Sequence, residues 1–295
     1  MGTSGERNQQ VAGQAALLFA AFLWSTSGLF IKLVDWHPVV LTGIRSLISA
    51  AFLLTVRFIS PPKKTVKKQT FTLWAGGISY ALTMLTFVVA NKHTTSANAI
   101  LLQYSAPVWA ALLGWWLNKE KPHWEHWGAL GMVFLGLFIF FKDSLGTGSL
   151  FGDGLALASG LFFAANCVFM RMMKDGDPRD ILLLSHTICA VVAIPFCFLH
   201  PPVLTFSTVL PVVYMGIFQL GLASAVYAYG MKRISAVQAM LTATIEPICN
   251  PLWVFIVIGE KPTSLALIGG AVILTAVLIS SIIGKQREVV KKSNE

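Results

Sequence analysis

The chain has 295 residues, 55% of them hydrophobic and only 12% charged, with a formal net charge of +9. Soluble domains carry about 25% charged residues, so a deficit spread over the whole length excludes a soluble globule, or one with a single anchor, and implies an integral membrane protein. A basic balance would suit nucleic acid, but in a membrane chain basic loops account for it, and no nucleic-acid partner is expected.

A polar tail, residues 1–10, opens the chain and is expected to be disordered. A bilayer core of about 30 Å needs roughly 20 apolar residues per helix. Ten such segments follow: 11–33, 38–58, 71–91, 95–118, 124–142, 152–173, 179–199, 207–230, 235–258 and 264–284. The first is too long for a signal h-region and is read as a retained helix, not a cleaved leader. Pro38, Pro122, Pro178 and Pro262 stand where helices begin, a place where the missing N–H costs nothing. A basic tail, 285–295, closes the chain. With the N-terminus inside, seventeen Lys and Arg residues fall on one side. Only Lys32, Lys92, Lys142 and Lys261 fall on the other, and Arg45 lies within the second helix. Both termini are therefore predicted to be cytoplasmic. The fold class expected is an all-α integral membrane protein of ten transmembrane helices.

Shifting the chain by 140 residues superimposes its landmarks without a gap. Pro38 meets Pro178, Pro61-Pro62 meets Pro201-Pro202, Gly76 meets Gly216, Lys92 meets Lys232 and Pro107 meets Pro247. Glu120-Lys121-Pro122 meets Glu260-Lys261-Pro262. Two units follow, 11–150 and 151–284, each of five helices. Five is odd, so the second copy crosses the membrane in the opposite sense. Such inverted repeats are typical of secondary transporters, with the substrate site near the midplane at the repeat interface. A duplication kept only for stability is the alternative.

The second repeat reads E-P-I-C-N-P-L-W-V-F-I-V-I-G-E-K-P-T from Glu246 to Thr263, and the first reads A-P-V-W-A-A-L-L-G-W-W-L-N-K-E-K-P from Ala106 to Pro122. A mid-helix Pro, an apolar run, Glu-x-Pro and a Gly-rich last helix resemble the drug/metabolite transporter superfamily, EamA type. Trp24-Ser25 and Arg45 resemble family positions as well, whereas Ala164-Ala165 in the sixth helix lacks the Trp-Ser of the first. The resemblance implies a multi-pass carrier of the cell inner (plasma) membrane for amino acids, other metabolites or drugs. It also implies a pocket enclosed by helices one, three, four, six, eight and nine.

Glu246 lies about 17 Å along the ninth helix, near mid-membrane, where an ionisable residue is a functional candidate by default. Its repeat counterpart is Ala106, so the fold does not require a carboxylate there. Gln238, Thr242 and Glu246 recur at i, i+4 and i+8 as one polar stripe. Proton exchange or binding of a cationic group would use Glu246. A bond to a backbone carbonyl, or an ion pair with Arg45, would make it structural. Arg45, about 10 Å into the second helix, would bind a substrate carboxylate, balance Glu246 or snorkel. Pro107 and Pro247 each remove a helix bond and mark symmetric hinge candidates.

The expected cavity wall is aromatic and polar. Trp24 and Ser27 share a face of the first helix, Tyr80 and Met84 one of the third. Gln103 and Tyr104 precede Pro107, and Asn166 sits within the sixth helix. Gln219 and Tyr227 recur through Ala223 at i+4 spacing, with Ser224 beside them, and Thr242 completes the set. For any one of these residues ordinary helix packing is the competing reading. Gly128, Gly131, Gly136 and Gly270 mark close helix packing, with a homodimer contact as the second reading.

The run H-W-E-H-W, 123–127, reads as an interfacial anchor rather than a metal site. Cys167, Cys189, Cys197 and Cys249 read as buried small hydrophobes without zinc or disulfide spacing. No metal or cofactor is expected, and no G-x-x-x-x-G-K-[ST] loop is present to couple ATP. A membrane-embedded enzyme would need a convergent reactive set, and the spans offer only Arg45, Glu246 and His186 at their centres. The reading favoured is a secondary transporter exporting small organic metabolites such as amino acids by alternating access. A facilitative uniporter or importer is the alternative within the class, and an enzyme, channel or receptor the alternative outside it. The partners expected are a small-molecule substrate and the lipid bilayer.

Overall fold

The computed structural model describes residues 4–61, 70–118, 150–173, 176–231 and 245–276 except 266, together with 128, 131, 132, 135, 136, 138, 139, 233 and 279. Every regular element among them is helical: α1 Ser4–Ser25, α2 Ser27–Leu33, α3 Pro38–Ile59, α4 Thr70–His93, α5 Ser96–Gln103, α6 Ala106–Asn118, α7 Leu150–Met172, α8 Pro178–Leu199, α9 Phe206–Tyr214, a π-helical segment Met215–Leu222, α10 Ala223–Met231 and α11 Ile245–Ile258. A last short helix, α12, covers Leu267–Ala276. Among the described residues seven spans are long and apolar enough to cross a bilayer, and α11 and α12 are shorter apolar helices. The first eight expected segments other than the fifth are thus seen at full length. Most of the fifth, the start of the ninth and the H-W-E-H-W run lie outside the described residues.

The outer faces of this bundle are apolar: Phe58, Phe198 and Phe206 are each more than 80% exposed. Exposure of that kind, continuous around a helical bundle, fits contact with lipid tails. Many hydroxyls on the same helices are satisfied locally, donating to a carbonyl three or four residues back, as Thr42 does to Pro38, Ser79 to Ala75 and Ser185 to Leu182. That back-bonding lets a polar side chain sit in hydrocarbon without an external partner.

Helices of the two repeats pack on each other across the bundle. α3 lies along α8, α4 along α7 and α1 along α10. Small residues set how close they come. A Cβ on Gly43 would collide with Ala193 and stand 3.2 Å from the Cys189 carbonyl oxygen, and one on Gly216 would stand 2.6 Å from Ile48 and 3.0 Å from the Arg45 carbonyl oxygen. A Cβ on Gly136 would stand 2.7 Å from Ile273, and one on Gly270 2.5 Å from Leu101. Those two glycines therefore serve contacts within the chain, as the packing reading expects, while Gly128 and Gly131 meet nothing within 4 Å.

Two expected helices are not continuous. The first breaks at Thr26, whose hydroxyl bonds back to the Leu23 carbonyl oxygen at 2.7 Å. The break lets Gly28 pass against Asn250 and Ser96. The fourth breaks at Tyr104-Ser105, so Pro107 falls in the first turn of α6, where its missing N–H is harmless. Pro247 occupies the third position of α11 and is buried.

One end of the bundle is tied across repeats by polar bonds. Gly259, with φ of 80°, ends α11 in the left-handed conformation suited to glycine. Next to it, Glu260 pairs with Lys32 at 2.8 Å and accepts from the Ser96 N–H at 2.7 Å. Lys32 also donates to the Thr94 carbonyl oxygen at 2.9 Å, and Lys92 to that of Val34 at 2.5 Å. Asp153 accepts from Thr94 and Asn98 at 2.6 and 3.2 Å. At the opposite end Arg57 pairs with Asp180, and Arg179 pairs with Asp177 at 2.6 Å and donates to the Ser60 carbonyl oxygen at 3.0 Å.

The α3–α8 contact generates a test. Gly43→Ala should overpack against Ala193 and cost about 1–3 kcal/mol. Ala193→Gly on that background should recover most of the loss, a non-additivity read from thermal unfolding in detergent. Additive losses would mean that the two residues do not meet.

Candidate functional site

A cavity of about 120 Å³ lies at the centre of the bundle, on the order of ten times the space one water requires. Its wall draws on α1, α2, α4, α5, α6, α7, the π-helical segment and α11, and on Arg45 from α3. These are the six spans named by the family resemblance with the second span added.

Of the residues singled out in the sequence, Trp24, Ser27, Tyr80, Met84, Gln103, Tyr104, Gln219, Arg45 and Glu246 line the cavity. Helical spacing explains why they arrive together: Trp24 and Ser27 flank the break at Thr26, and Tyr80, Thr83, Met84 and Phe87 follow at i, i+3, i+4 and i+7 along one face of α4. Asn166, Ser224 and Tyr227 are not in the lining. Asn166 instead donates to the Gly76 carbonyl oxygen at 3.0 Å and braces α7 against α4. Tyr227 packs against Trp24 with the rings tilted 54° and their centroids 5.0 Å apart, and its hydroxyl lies near the Cys167 sulfur at 3.9 Å. The reason is the π-helical segment. Bonding from i to i+5 widens the turn, so the i+4 stripe counted from Gln219 does not stay on one face. Thr242 lies outside the described residues, as does Gln238.

Repeat symmetry runs through the lining. Trp24 and Ala164, Ser27 and Cys167, Tyr80 and Leu220, and Ala106 and Glu246 are four pairs of positions 140 residues apart, and all eight line the cavity. In the first three pairs the first repeat supplies the polar or large aromatic partner and the second a small or apolar one. In the fourth the order reverses.

The two charged residues do not meet. No ion pair joins Arg45 and Glu246 in the structure, so the expected charge balance between them is absent. Glu246 instead accepts from the Tyr104 hydroxyl at 3.3 Å. Arg45, 2% exposed, has its Nη1 3.9 Å from the Met215 sulfur and its Nε without a partner. Trp24 Nε1 and Gln219 Oε1, on the same lining, also lack partners. Buried polar groups are nearly always bonded, and these three border a space that water or a ligand can enter. Ser27 accepts from Asn250 at 3.2 Å, which links α2 to α11 directly below the break.

Sequence reasoning missed Thr83, Phe87, Ala110, Phe163, Ala164, Cys167 and Leu220. The 140-residue offset applied to Trp24, Ser27 and Tyr80 yields Ala164, Cys167 and Leu220, and the face of α4 through Tyr80 and Met84 yields Thr83 and Phe87.

Comparison with known proteins agrees with this geometry. An uncharacterized transporter of Archaeoglobus fulgidus is 28% identical over 271 residues, 91% of this chain and 96% of that protein. A 177-residue stretch, 53% of this chain, is 29% identical to human solute carrier family 35 member G1 and covers 47% of it. A solved crystal structure shares the fold, with a TM-score of 0.67 at 21% identity over 94% of this chain and 99% of that one. The EamA-like transporter family profile matches twice, at residues 11–142 and 150–282. The protein is a multi-pass membrane protein and belongs to the EamA-like transporter family.

Proposed function

We propose that the protein is a secondary carrier of the cell inner membrane that moves small organic metabolites, amino acids foremost, by alternating access around the central cavity. The observation that carries this reading is the lining: four repeat-related pairs of positions meet at one cavity. A site shared by both repeats is where inverted-repeat carriers hold substrate near the midplane. Ten spans in two units, 11–150 and 151–284, with both termini cytoplasmic, complete the architecture, and export is the direction implied by the family resemblance.

In this reading the end bearing Lys32 and Lys92 faces outward, as the distribution of basic loops requires. The Lys32–Glu260 pair and the Ser96 bond hold that end closed, since they join α2 and α5 of one repeat to the end of α11 in the other. Opening it would break a few partly exposed polar bonds, a modest cost for a rocking motion. Pro107 and Pro247, in the first turns of α6 and α11 beside the cavity, are the hinge candidates.

Cys167 on the cavity wall provides the test. In a variant with Cys189, Cys197 and Cys249 replaced by alanine, an impermeant thiol reagent is applied from each side of oriented vesicles. Lys32→Met and Glu260→Gln should label several-fold faster from the outside, with labelling from the inside falling in step. In liposomes the same protein should show saturable uptake and counterflow. Fast labelling from both sides at once, with non-saturable flux, would describe a channel and defeat the carrier reading.

A further inference from the structure

The cavity holds one cation and one carboxylate that do not neutralise each other. Neither has a charged counterpart in the other repeat: 140 residues on from Arg45 is Ser185, and 140 before Glu246 is Ala106. The two charges are therefore additions to the shared architecture, one on each repeat.

Arg45 presents a planar fork of donors, the geometry that matches a carboxylate. In the structure its Nη1 finds only the Met215 sulfur, at 3.9 Å, and its Nε has no partner. Packing fixes it in place: α3 is clamped against α8 at Gly43 and against the π-helical segment at Gly216. Glu246 has one long bond, from Tyr104, and no cation beside it among the described residues. An ammonium supplies three donors to a carboxylate in that setting. The rest of the lining includes the apolar or aromatic side chains of Met84, Phe87, Phe163 and Leu220.

We infer that the cavity binds a zwitterion with an apolar side chain, a neutral amino acid, whose carboxylate is held by Arg45 and whose ammonium is held by Glu246. This deepens the carrier reading and rests on it. A ligand with only a positive charge leaves Arg45 uncompensated, one with only a negative charge leaves Glu246 uncompensated, and a bipolar ligand completes both at once. A further charge on the ligand would be pressed against apolar wall, where a charge is costly. Gln219 Oε1 and Trp24 Nε1, also without partners, are further groups on the lining for the same head group.

Binding and counterflow with purified protein test this using L-leucine, 3-methylbutylamine, which lacks the carboxylate, and 4-methylpentanoate, which lacks the ammonium. L-Leucine should raise the unfolding temperature and exchange across liposomes. Each single-charge analogue should bind about 30-fold or more weakly, the loss typical of removing one partner of a buried charge pair. L-Phenylalanine should behave as L-leucine does; L-lysine and L-glutamate should not compete. Glu246→Gln should abolish leucine counterflow, whereas a group serving only proton exchange would leave counterflow intact. The wild-type comparison of analogues needs no mutant to fold, so a poorly folded Arg45 variant does not blunt the test. Equal binding of the amine, equal binding of the acid, or intact counterflow in Glu246→Gln would overturn the proposal. If neither L-leucine nor L-phenylalanine binds while other labelled metabolites exchange saturably, the zwitterion site falls and the carrier reading stands. Saturable exchange of no solute would remove both.

Discussion

In hydrocarbon a polar group without a partner costs several kcal/mol, and that constraint sorts many of the polar side chains of this protein. Many serine and threonine hydroxyls return to their own helix. Asn91 donates to the Phe87 carbonyl oxygen at 3.1 Å and Asn166 to that of Gly76 at 3.0 Å. Lysines and acids gather at the two ends of the bundle, where they pair or cap helices. Among the buried polar atoms that no described residue partners, Trp24 Nε1, Arg45 Nε and Gln219 Oε1 are those on the cavity wall. His186 is a different exception. It is fully buried with neither nitrogen bonded, its ring edge-on to Tyr80 at 6.2 Å, and it does not line the cavity.

The repeat gives the architecture and its breaking gives the chemistry. Two copies of one family unit place equivalent positions around a common centre, so any cavity at that centre begins as a symmetric one. Substitution at paired positions then sets its character. Trp24, Ser27 and Tyr80 face Ala164, Cys167 and Leu220, while Glu246 faces Ala106. Bulk and stacking surface therefore come from the first repeat and the carboxylate from the second. Arg45 is placed by close packing of α3 on α8 and on the π-helical segment, which bring a long cationic side chain beside a wall it would not otherwise reach.

Much of this was legible in the sequence because membrane helices obey simple rules. The length and apolarity of the segments mark the seven spans seen at full length, and the spacing of Trp24 with Ser27, and of Tyr80 with Met84, puts each pair on one helix face toward the cavity. What misled was local backbone geometry that no residue announces. The π-helical segment carries no proline, and it turned Ser224 and Tyr227 away from the face that Gln219 occupies. The break at Thr26 rests on hydroxyl-to-carbonyl bonds and on Asn250 and Ser96 from distant segments. Whether Arg45 and Glu246 meet is a tertiary question, and spacing along the chain cannot answer it. Cys167, Ala164 and Leu220 look like packing residues in isolation and become cavity residues only through the repeat.

The central claim is that the two uncompensated charges await the two ends of one ligand. An experimental structure of the protein saturated with L-leucine tests it most directly. The account predicts ligand density bridging the Arg45 guanidinium and the Glu246 carboxylate, with the side chain toward Met84 and Phe163. An empty cavity with Arg45 paired to Glu246, or leucine bound away from both, would contradict it.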